Sequence, residues 1–289
     1  MTHSIDFSQP NGAQEMETLL DAFKNSKDRF LTGFDALDQC TGGLVKGGLT
    51  LIASRPGMGR SSFALNIIHQ IAQQQTGNIL LFTSQLSPQD VVMRLLSIGL
   101  DTAAEHFVDG TIPPEELTRR FSNFFSSRKG SLRISYNTNP SLRHLWQVSR
   151  EVPDLRLLIV DDIQYICKPI DFSKAPETWG ILPEDRERVI TSLKDLAEEL
   201  QVPVLCISHL SRSLESRKNK RPKCSDLAAT ELPIGSLDQV LFLYRDRYYN
   251  PESDDTAECI VAKNSHGDTG TIATRWDMRT GKFHPLPQD

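Results

Sequence analysis

Residues 49–62 read LTLIASRPGMGRSS, and this stretch decides the fold. Its apolar start predicts a buried strand, its Gly/Pro-rich centre predicts a turn, and its end opens an amphipathic helix. The N-terminus of a helix attracts phosphate because its N–H groups are unpaired and its dipole is positive there. Gly57 and Gly59 let the backbone approach an anion closely because they lack a Cβ atom. The stretch therefore predicts a phosphate-binding loop between a strand and a helix.

The loop follows the pattern G-x-x-x-x-G-K-S/T with two changes. Ser54 stands at the first glycine, Gly59 at the second, Arg60 at the lysine and Ser61 at the hydroxyl position. In that pattern the lysine reaches the β- and γ-phosphates, and the hydroxyl holds Mg²⁺. The alternative is a turn that has this composition by chance. The predicted nucleotide-binding residues of the loop are Ser54, Arg55, Pro56, Gly57, Met58, Gly59, Arg60, Ser61 and Ser62, with Ser61 also a metal ligand.

Length, composition and charge limit the class of protein. A chain of 289 residues, of which 38% are hydrophobic, fits one large α/β domain with a short N-terminal extension. The net charge of −5 excludes a surface that is basic throughout, so contact with nucleic acid requires a local patch. The five cysteines form no C-x-x-C pair, which argues against a zinc or redox motif. Without a recognisable signal peptide or membrane span, we expect a cytoplasmic protein with no membrane partner.

Strand-like and helix-like runs alternate along the chain. The strand-like runs are apolar throughout, which favours a mostly parallel central sheet flanked by helices on both faces. We therefore predict an α/β fold whose last strands form an antiparallel edge. The predicted strands are 49–53, 78–84, 132–135, 155–166, 204–208, 239–246, 258–265 and 271–278, and the predicted helices are 61–75, one from near Pro88, 102–129, 141–152 and 184–200.

The start of the chain differs in character from the rest. Residues 13–25 carry apolar side chains at helical spacing, after a polar beginning. This short helix either caps the core of its own chain or docks on a neighbouring subunit. We expect residues 1–30 to form a flexible lead and a linker-type helix, and residues 31–289 to form the main domain. A polar insertion at 168–183 is interpreted as a surface loop.

Asp161 gives a second indication of a nucleotide site, because it ends the hydrophobic run 157–160. A carboxylate at the carboxyl edge of a parallel sheet, beside a phosphate loop, can bind Mg²⁺ through water. Buried strands also end in aspartate for solubility alone. The phosphate loop upstream favours the metal-binding interpretation, since the two elements fit one site.

Six cations lie within the stretch SRSLESRKNKRPK at 211–223, which we name the basic segment. In an otherwise acidic chain, such a segment can contact the phosphates of nucleic acid without reading bases. A solvated surface loop is the alternative. His209, just before this segment, either simply ends a strand or reaches the nucleotide. The candidate DNA-binding residues are Arg212, Arg217, Lys218, Lys220, Arg221 and Lys223.

These pieces, in this order, resemble the C-terminal motor domain of DnaB-type replicative helicases, which are RecA-like ring ATPases. The resemblance runs from about Leu31 to Phe283. Simple alternation of strands and helices would not reproduce the segment from SRSLE to SDL, so the resemblance is specific. It is carried by LTGFDALDQCTGGL at 31–44, SRPGMGRSSFALN at 54–66, VDDIQ at 160–164, VPVLCISHLSRSLESRKNKRPKCSDL at 202–227, FLYRDRYYNPES at 242–253 and AKNSHGDTGT at 262–271.

The resemblance implies a RecA-like P-loop NTPase fold and either a homo-oligomer, such as a hexameric ring, or association with a related helicase. ATP and Mg²⁺ would lie between subunits, and single-stranded DNA would lie in the central channel. By the same resemblance, the helix at 13–25 looks like a linker helix that docks on the adjacent subunit. We expect a motor domain without the primase-contacting N-terminal domain of the family.

The chain departs from the family pattern around the γ-phosphate. The family lysine is Arg60, which keeps the charge but has a bulkier planar head group. After the second strand the family reads S-L-E-M-P and this chain reads S-Q-L-S-P, with Leu86 at the glutamate that polarises water. The glutamine that senses the γ-phosphate corresponds to His209. In the K-x-R-x-G element, Lys263 is kept as a nucleotide-binding residue, whereas Ser265 replaces the arginine finger.

These departures predict slow or absent hydrolysis. An arginine finger contributes about 10³–10⁵ in rate, and general-base assistance about 10²–10⁴. The metal ligands Ser61 and Asp161 remain, so binding of ATP with Mg²⁺ is expected to survive. In the DNA-contacting loop Ala228 replaces an arginine, which is expected to alter binding of single-stranded DNA.

We therefore expect a DnaB-like protein that binds ATP, Mg²⁺ and single-stranded DNA with weak or no hydrolysis, and that acts in DNA replication or its regulation. One alternative is an active ATP-dependent helicase in which Asp162 or Glu231 serves the attacking water. Another is a scaffold that uses the RecA-like fold without nucleotide or DNA.

Overall fold

The computed structural model describes residues 30–74, 76–166, 183–228 and 232–286. The helix predicted at 13–25 lies outside these residues, and so does all of the predicted loop at 168–183 except its last residue. Among the helices described, none is long and apolar enough to cross a membrane.

The described strands join in a single nine-stranded sheet. They are β1 Leu49–Ser54, β2 Gly77–Thr83, β3 Gly130–Tyr136, β4 Leu155–Asp161, β5 Val204–His209, β6 Gln239–Arg245, β7 Thr256–Asn264, β8 Gly270–Asp277 and β9 Lys282–Pro285. Their spatial order is β3-β2-β4-β5-β1-β6-β7-β8-β9. Strands β1 to β6 pair in parallel, and β7, β8 and β9 pair antiparallel. The predicted α/β fold, with a mostly parallel sheet and an antiparallel edge, is confirmed.

Helices cover both faces of this sheet. They are α1 Asp35–Thr41, α2 Arg60–Gln74, α3 Pro88–Leu100, α4 Pro114–Ser126, α5 Leu142–Glu151, α6 Ile163–Ile166, α7 Pro183–Leu200 and α8 Cys224–Ala228. Short 3-10 turns lie at Ala104–Phe107, Arg212–Ser216, Ile234–Ser236 and Asp246–Tyr248. Helices α2 and α3 pack in one hydrophobic cluster, and α7 packs in the other.

Strand β1 shows why the sheet needs a layer of helices on each face. All six of its residues are buried. Successive side chains of a strand point to opposite faces, so Ile52 joins the cluster that contains Phe63, whereas Leu51 joins the cluster that contains Leu193. A strand that is apolar on both faces can only lie in the interior of such a sandwich of helices. The loop that follows β1 is therefore held at a fixed place on the carboxyl edge of the sheet.

The strand predicted over 155–166 is too long. Strand β4 ends at Asp161, and the chain then turns into helix α6. The carboxylate of Asp162 accepts the N–H of Gln164 at 2.8 Å, which favours a helical turn at this point. The apolar residues Ile163 and Ile166 remain buried in the helix, so their hydrophobicity gave no sign of the change.

Besides α6, helices α1 and α8 and strand β9 were not predicted. Helix α1 lies within the glycine-containing stretch 31–44, for which no helix was predicted. It is fastened by Asp38, whose carboxylate accepts the N–H groups of Thr32 and Gly33, both at 2.9 Å. Strand β9 pairs with β8 after a turn in which Gly281 has a φ of +73°. The predicted helix at 102–129 is in fact a 3-10 turn and α4, separated by a loop.

Phe63 lies at the centre of the cluster that supports α2. Its ring stacks on Phe34 at 4.9 Å and meets Phe283 edge-on at 5.1 Å between centroids. Replacing this buried ring with alanine leaves a cavity, so Phe63→Ala is expected to lower the free energy of unfolding by about 3–5 kcal/mol. Urea unfolding measures the change. The exposed Phe125→Ala is the control, and equal losses in the two variants would contradict this packing.

Candidate functional site

The predicted phosphate loop lies between β1 and α2. Gly57 and Gly59 have φ values of +80° and +89°, in the left-handed region that favours glycine. A Cβ atom at Gly57 would lie 2.7 Å from Cε2 of Tyr248, so neighbouring side chains also restrict this position to glycine. Met58, in contrast, is buried in the hydrophobic core, so only its backbone remains available to a ligand. The structure thus gives the loop the curvature that an anion-binding loop requires.

Arg60, at the lysine position, begins helix α2 and turns back towards the sheet. Its Nη1 donates to the carbonyl oxygen of Ser54, and its Nη2 lies 2.8 Å from Nδ1 of His209. Its Nε is buried without a hydrogen-bond partner. Burial lowers the pKa of Arg60, and the charges of Asp162 and Asp161 oppose this effect. The guanidinium therefore faces the ends of β1 and β5, where a lysine would place the same charge on a more compact ammonium group.

Asp161 ends β4 and lies beside Ser61 of the loop. Burial raises the pKa of Asp161 to about 6, although a hydrogen bond from Ser61 lowers it. Carboxylate and hydroxyl oxygens suit Mg²⁺, and this ion usually keeps waters and substrate phosphates as further ligands. The described residues contain no group of three His, Cys, Asp or Glu side chains placed to hold a metal alone. The pair thus fits a magnesium ion that is bound together with a phosphate.

Asp162 is the centre of a buried hydrogen-bond network. Its side chain is 1% exposed, and its Oδ2 lies 2.6 Å from Nε2 of His209. The same oxygen accepts the amide of Gln85 at 3.1 Å, while Oδ1 accepts the backbone N–H of Gln164 at 2.8 Å. Both carboxylate oxygens therefore have hydrogen-bond partners within the protein. His209 is oriented within the site and does more than end a strand.

The side chain that faces this network after β2 is Gln85. Leu86, which the family resemblance placed at the position of the glutamate, is buried in the hydrophobic cluster of α2 and α3. A carboxylate at that position would point into the core, whereas the amide of Gln85 already contacts Asp162. The stretch 84–88 contains no carboxylate, so neither position supplies one.

Lys263 does not lie near the phosphate loop of its own chain. Its ammonium donates to the carbonyl oxygens of Ile234 at 2.8 Å and Leu237 at 2.5 Å. Lys263 pairs with the first residues of β6, which lie beside the start of β1, whereas the loop follows the end of β1. Glu231, the alternative carboxylate for the water, lies outside the described residues.

The basic segment is more ordered than a free cationic loop. Arg217 pairs with Asp226 at 2.9 Å, and Arg221 pairs with Glu258 at 2.5 Å. Lys220 donates to the carbonyl oxygen of Arg217 at 3.3 Å. Half of the predicted DNA-binding cations thus have partners within the protein. The three that remain exposed are Arg212, Lys218 and Lys223.

The structure gives two arginines of the site contacts that the sequence did not predict. Arg245, in the YRD motif that ends β6, is 3% exposed and donates to the carbonyl oxygen of Gly57 at 3.2 Å. Its guanidinium lies 4.1 Å from the ring centroid of Trp276. Arg55 was predicted in the loop, but its link to the basic segment at Glu215 was not. The polar character of the YRD motif after an apolar strand could have indicated Arg245.

A cavity of about 430 Å³ opens beside the phosphate loop. It is bounded by the loop and the start of α2, by α3, and by the turn between β8 and β9. Arg94 and Arg279 supply positive charge at its wall, and Trp276 and Met278 supply apolar surface. This combination suits a ligand with both an anionic and an aromatic part.

Comparison with known proteins agrees with this geometry. The DnaB-like helicase C terminal domain matches residues 30–285. Replicative DNA helicase DnaB of Geobacillus stearothermophilus is 33% identical over 266 residues, covering 87% of this chain and 55% of that protein. A probable plasmid replicative DNA helicase of Chlamydia psittaci is 31% identical over 261 residues, covering 89% and 55%. The chain thus spans little more than half the length of these relatives.

Solved structures show the same fold. A solved ATPase domain superposes with a TM-score of 0.81 at 25% identity, covering 96% of this chain and 100% of that one. A DnaB-like replicative helicase, solved in work on its interactions with primase, gives a TM-score of 0.78 at 26% identity, covering 99% and 68%. With the RecA-like arrangement of loop, carboxylates and sheet, these matches show that the chain belongs to the family of DnaB-like helicase C-terminal domains.

Proposed function

We propose that this chain binds ATP with Mg²⁺ and holds single-stranded DNA, and that its ATP hydrolysis is weak or lost. The observation that carries the proposal is the phosphate loop beside Ser61 and Asp161, at the carboxyl edge of the sheet. Phosphates would lie on the loop, and the base and ribose would enter the adjoining cavity. Mg²⁺ held by Ser61 and Asp161 would neutralise phosphate charge. In the cytoplasm, such a protein would act in DNA replication or its regulation.

Weak hydrolysis is supported by the surroundings of Asp162. We propose that Gln85, and not Leu86, occupies the place of the family glutamate, because its side chain faces the site. A neutral amide cannot accept a proton from water as a carboxylate does. Asp162 is committed to His209 and to its other donors, which argues against the alternative of an active helicase that uses Asp162.

An assembly of several copies is also part of the proposal. Lys263 lies at the end of the sheet opposite the phosphate loop, so it cannot complete the nucleotide site of its own chain. A neighbouring copy, or a related helicase, could present this end to the loop. Ser265 would then bring no positive charge to the interface, which again favours slow hydrolysis.

The proposal predicts nucleotide binding whose dependence on Mg²⁺ changes with pH. Burial raises the pKa of Asp161 to about 6, so the carboxylate is charged above that pH and protonated below it. A proton competes with the metal, so Mg²⁺ affinity is expected to fall about tenfold between about pH 7.5 and pH 5. Titration of a fluorescent ATP analogue with and without Mg²⁺ measures this change.

Asp161→Asn is expected to remove the benefit of Mg²⁺ at both pH values, because an amide is a weaker ligand than a carboxylate. The exposed Asp154→Asn is the matched control and should behave as the wild type. Failure of the wild-type protein to bind nucleotide at all would reject the proposed function and favour a scaffold.

Steady-state ATPase measurements test the weak hydrolysis. Without a base, turnover is expected at about 0.1 per second or less, compared with about 10 per second for a typical enzyme. The double variant Arg60→Lys with Gln85→Glu is expected to raise turnover at least about tenfold. Arg60→Lys with Leu86→Glu is the matched comparison, and it should gain nothing and lose stability, because the new charge is buried. Wild-type turnover at an ordinary rate would contradict weak hydrolysis.

The exposed cations of the basic segment are expected to contact DNA phosphates. Replacing Arg212, Lys218 and Lys223 with alanine should weaken binding of an oligothymidine and lower the salt-dependence slope by about 2. Fluorescence anisotropy at several salt concentrations gives both quantities.

The control for this triple variant is alanine substitution of three exposed cations near strand β3, namely Lys129, Arg133 and Arg143. It removes the same charge from another surface. If both triple variants reduce the slope equally, the contact is non-specific and the basic segment is not the DNA site.

A further inference from the structure

The phosphate loop is tied to the basic segment through Arg55. Its Nε donates to Oε1 of Glu215 at 2.8 Å, and its Nη1 donates to the carbonyl oxygen of Leu210 at 2.8 Å. The Arg55 side chain is only 11% exposed. A charged hydrogen bond that is largely shielded from water is stronger than an exposed one. The side chain of Arg55 is thus held by two hydrogen bonds to residues that follow β5.

Glu215 lies in the 3-10 turn Arg212–Ser216, which begins the basic segment. Leu214 of the same turn is buried and fixes it to the hydrophobic core. Beyond this turn, ion pairs tie the segment to neighbouring elements: Arg217 pairs with Asp226 of α8, and Arg221 pairs with Glu258 of β7. Arg212 lies in the same turn as Glu215, so a displacement of Glu215 would move this exposed cation with it.

We propose that the Arg55–Glu215 ion pair couples nucleotide binding in the loop to DNA binding by the basic segment. The inference rests on the proposed function, since it needs both ligands. Arg55 is two residues from Gly57, so any adjustment of the loop around phosphate changes the position of its guanidinium. The ion pair passes this change to Glu215, and the cations beside it are presented to DNA differently. Coupling between two ligands is reciprocal, so DNA also changes the affinity for nucleotide.

The test measures the affinity for an oligothymidine with and without a non-hydrolysable ATP analogue and Mg²⁺. In the wild-type protein the analogue is expected to change DNA affinity about fivefold or more, the lower range of typical coupling. Glu215→Gln removes the charge but keeps the size of the side chain and changes no residue of the phosphate loop. This variant is expected to bind the analogue alone within about twofold of the wild type and to lose most of the coupling.

Asp255→Asn is the matched control. It breaks a surface ion pair with Arg247 of 2.9 Å, which touches neither the loop nor the basic segment, and coupling should persist. Trypsin cleavage at the exposed cations of the segment is a second measurement that requires no DNA. The analogue should change the cleavage rate in the wild type and in Asp255→Asn, but not in Glu215→Gln or in Arg55→Lys.

The outcomes separate the two proposals. Wild-type protein that binds nucleotide and DNA independently would leave the proposed function standing and overturn the coupling. Equal coupling in the wild type and Glu215→Gln would also overturn it, since the ion pair would then be dispensable. Absence of nucleotide binding in the wild type would reject the proposed function, and the inference with it.

Discussion

The site depends on the burial of β1 between two parallel neighbours. Because its side chains are apolar on both faces, β1 has one place in the sheet, and β5 and β6 fix it from both sides. The loop after it must then emerge at the same edge as the ends of β4 and β5. Asp161 and His209 end those two strands, so the packing of a hydrophobic sheet brings the phosphate loop, a carboxylate and an imidazole together.

This packing buries charged groups, and neighbouring side chains compensate their charge locally. Two adjacent carboxylates, Asp161 and Asp162, are buried where a charge is costly unless it is paired. The raised pKa of Asp161 shows that its compensation is incomplete in the protein alone. Asp162, in contrast, is satisfied by protein donors on both oxygens. The neighbouring carboxylates thus differ: Asp162 organises the site through its hydrogen bonds, and Asp161 is the one that we propose as a ligand of Mg²⁺.

The sequence predicted what local patterns encode. Apolar runs indicated the sheet, and the loop pattern located the glycine-containing turn between β1 and α2. It could not predict that strand β4 stops at Asp161, because the buried helix α6 is equally apolar. Whether Gln85 or Leu86 corresponds to the family glutamate depends on a shift of one residue in the sequence match. Only the directions of the two side chains distinguish these possibilities. The cations of the basic segment looked free because their partners, such as Glu258, are distant in the sequence.

Arg60, at the lysine position, is understood best together with its hydrogen-bond partners. A guanidinium needs several acceptors in a planar arrangement, and the Ser54 carbonyl and His209 lie along its edge. His209 is in turn held by Asp162, so the substitution at Arg60 is built into a network that also contains Gln85. A lysine alone would leave part of that network without its donor. The departures at Arg60 and His209 therefore form one physical unit, in which the charge of Arg60 helps to hold the site together.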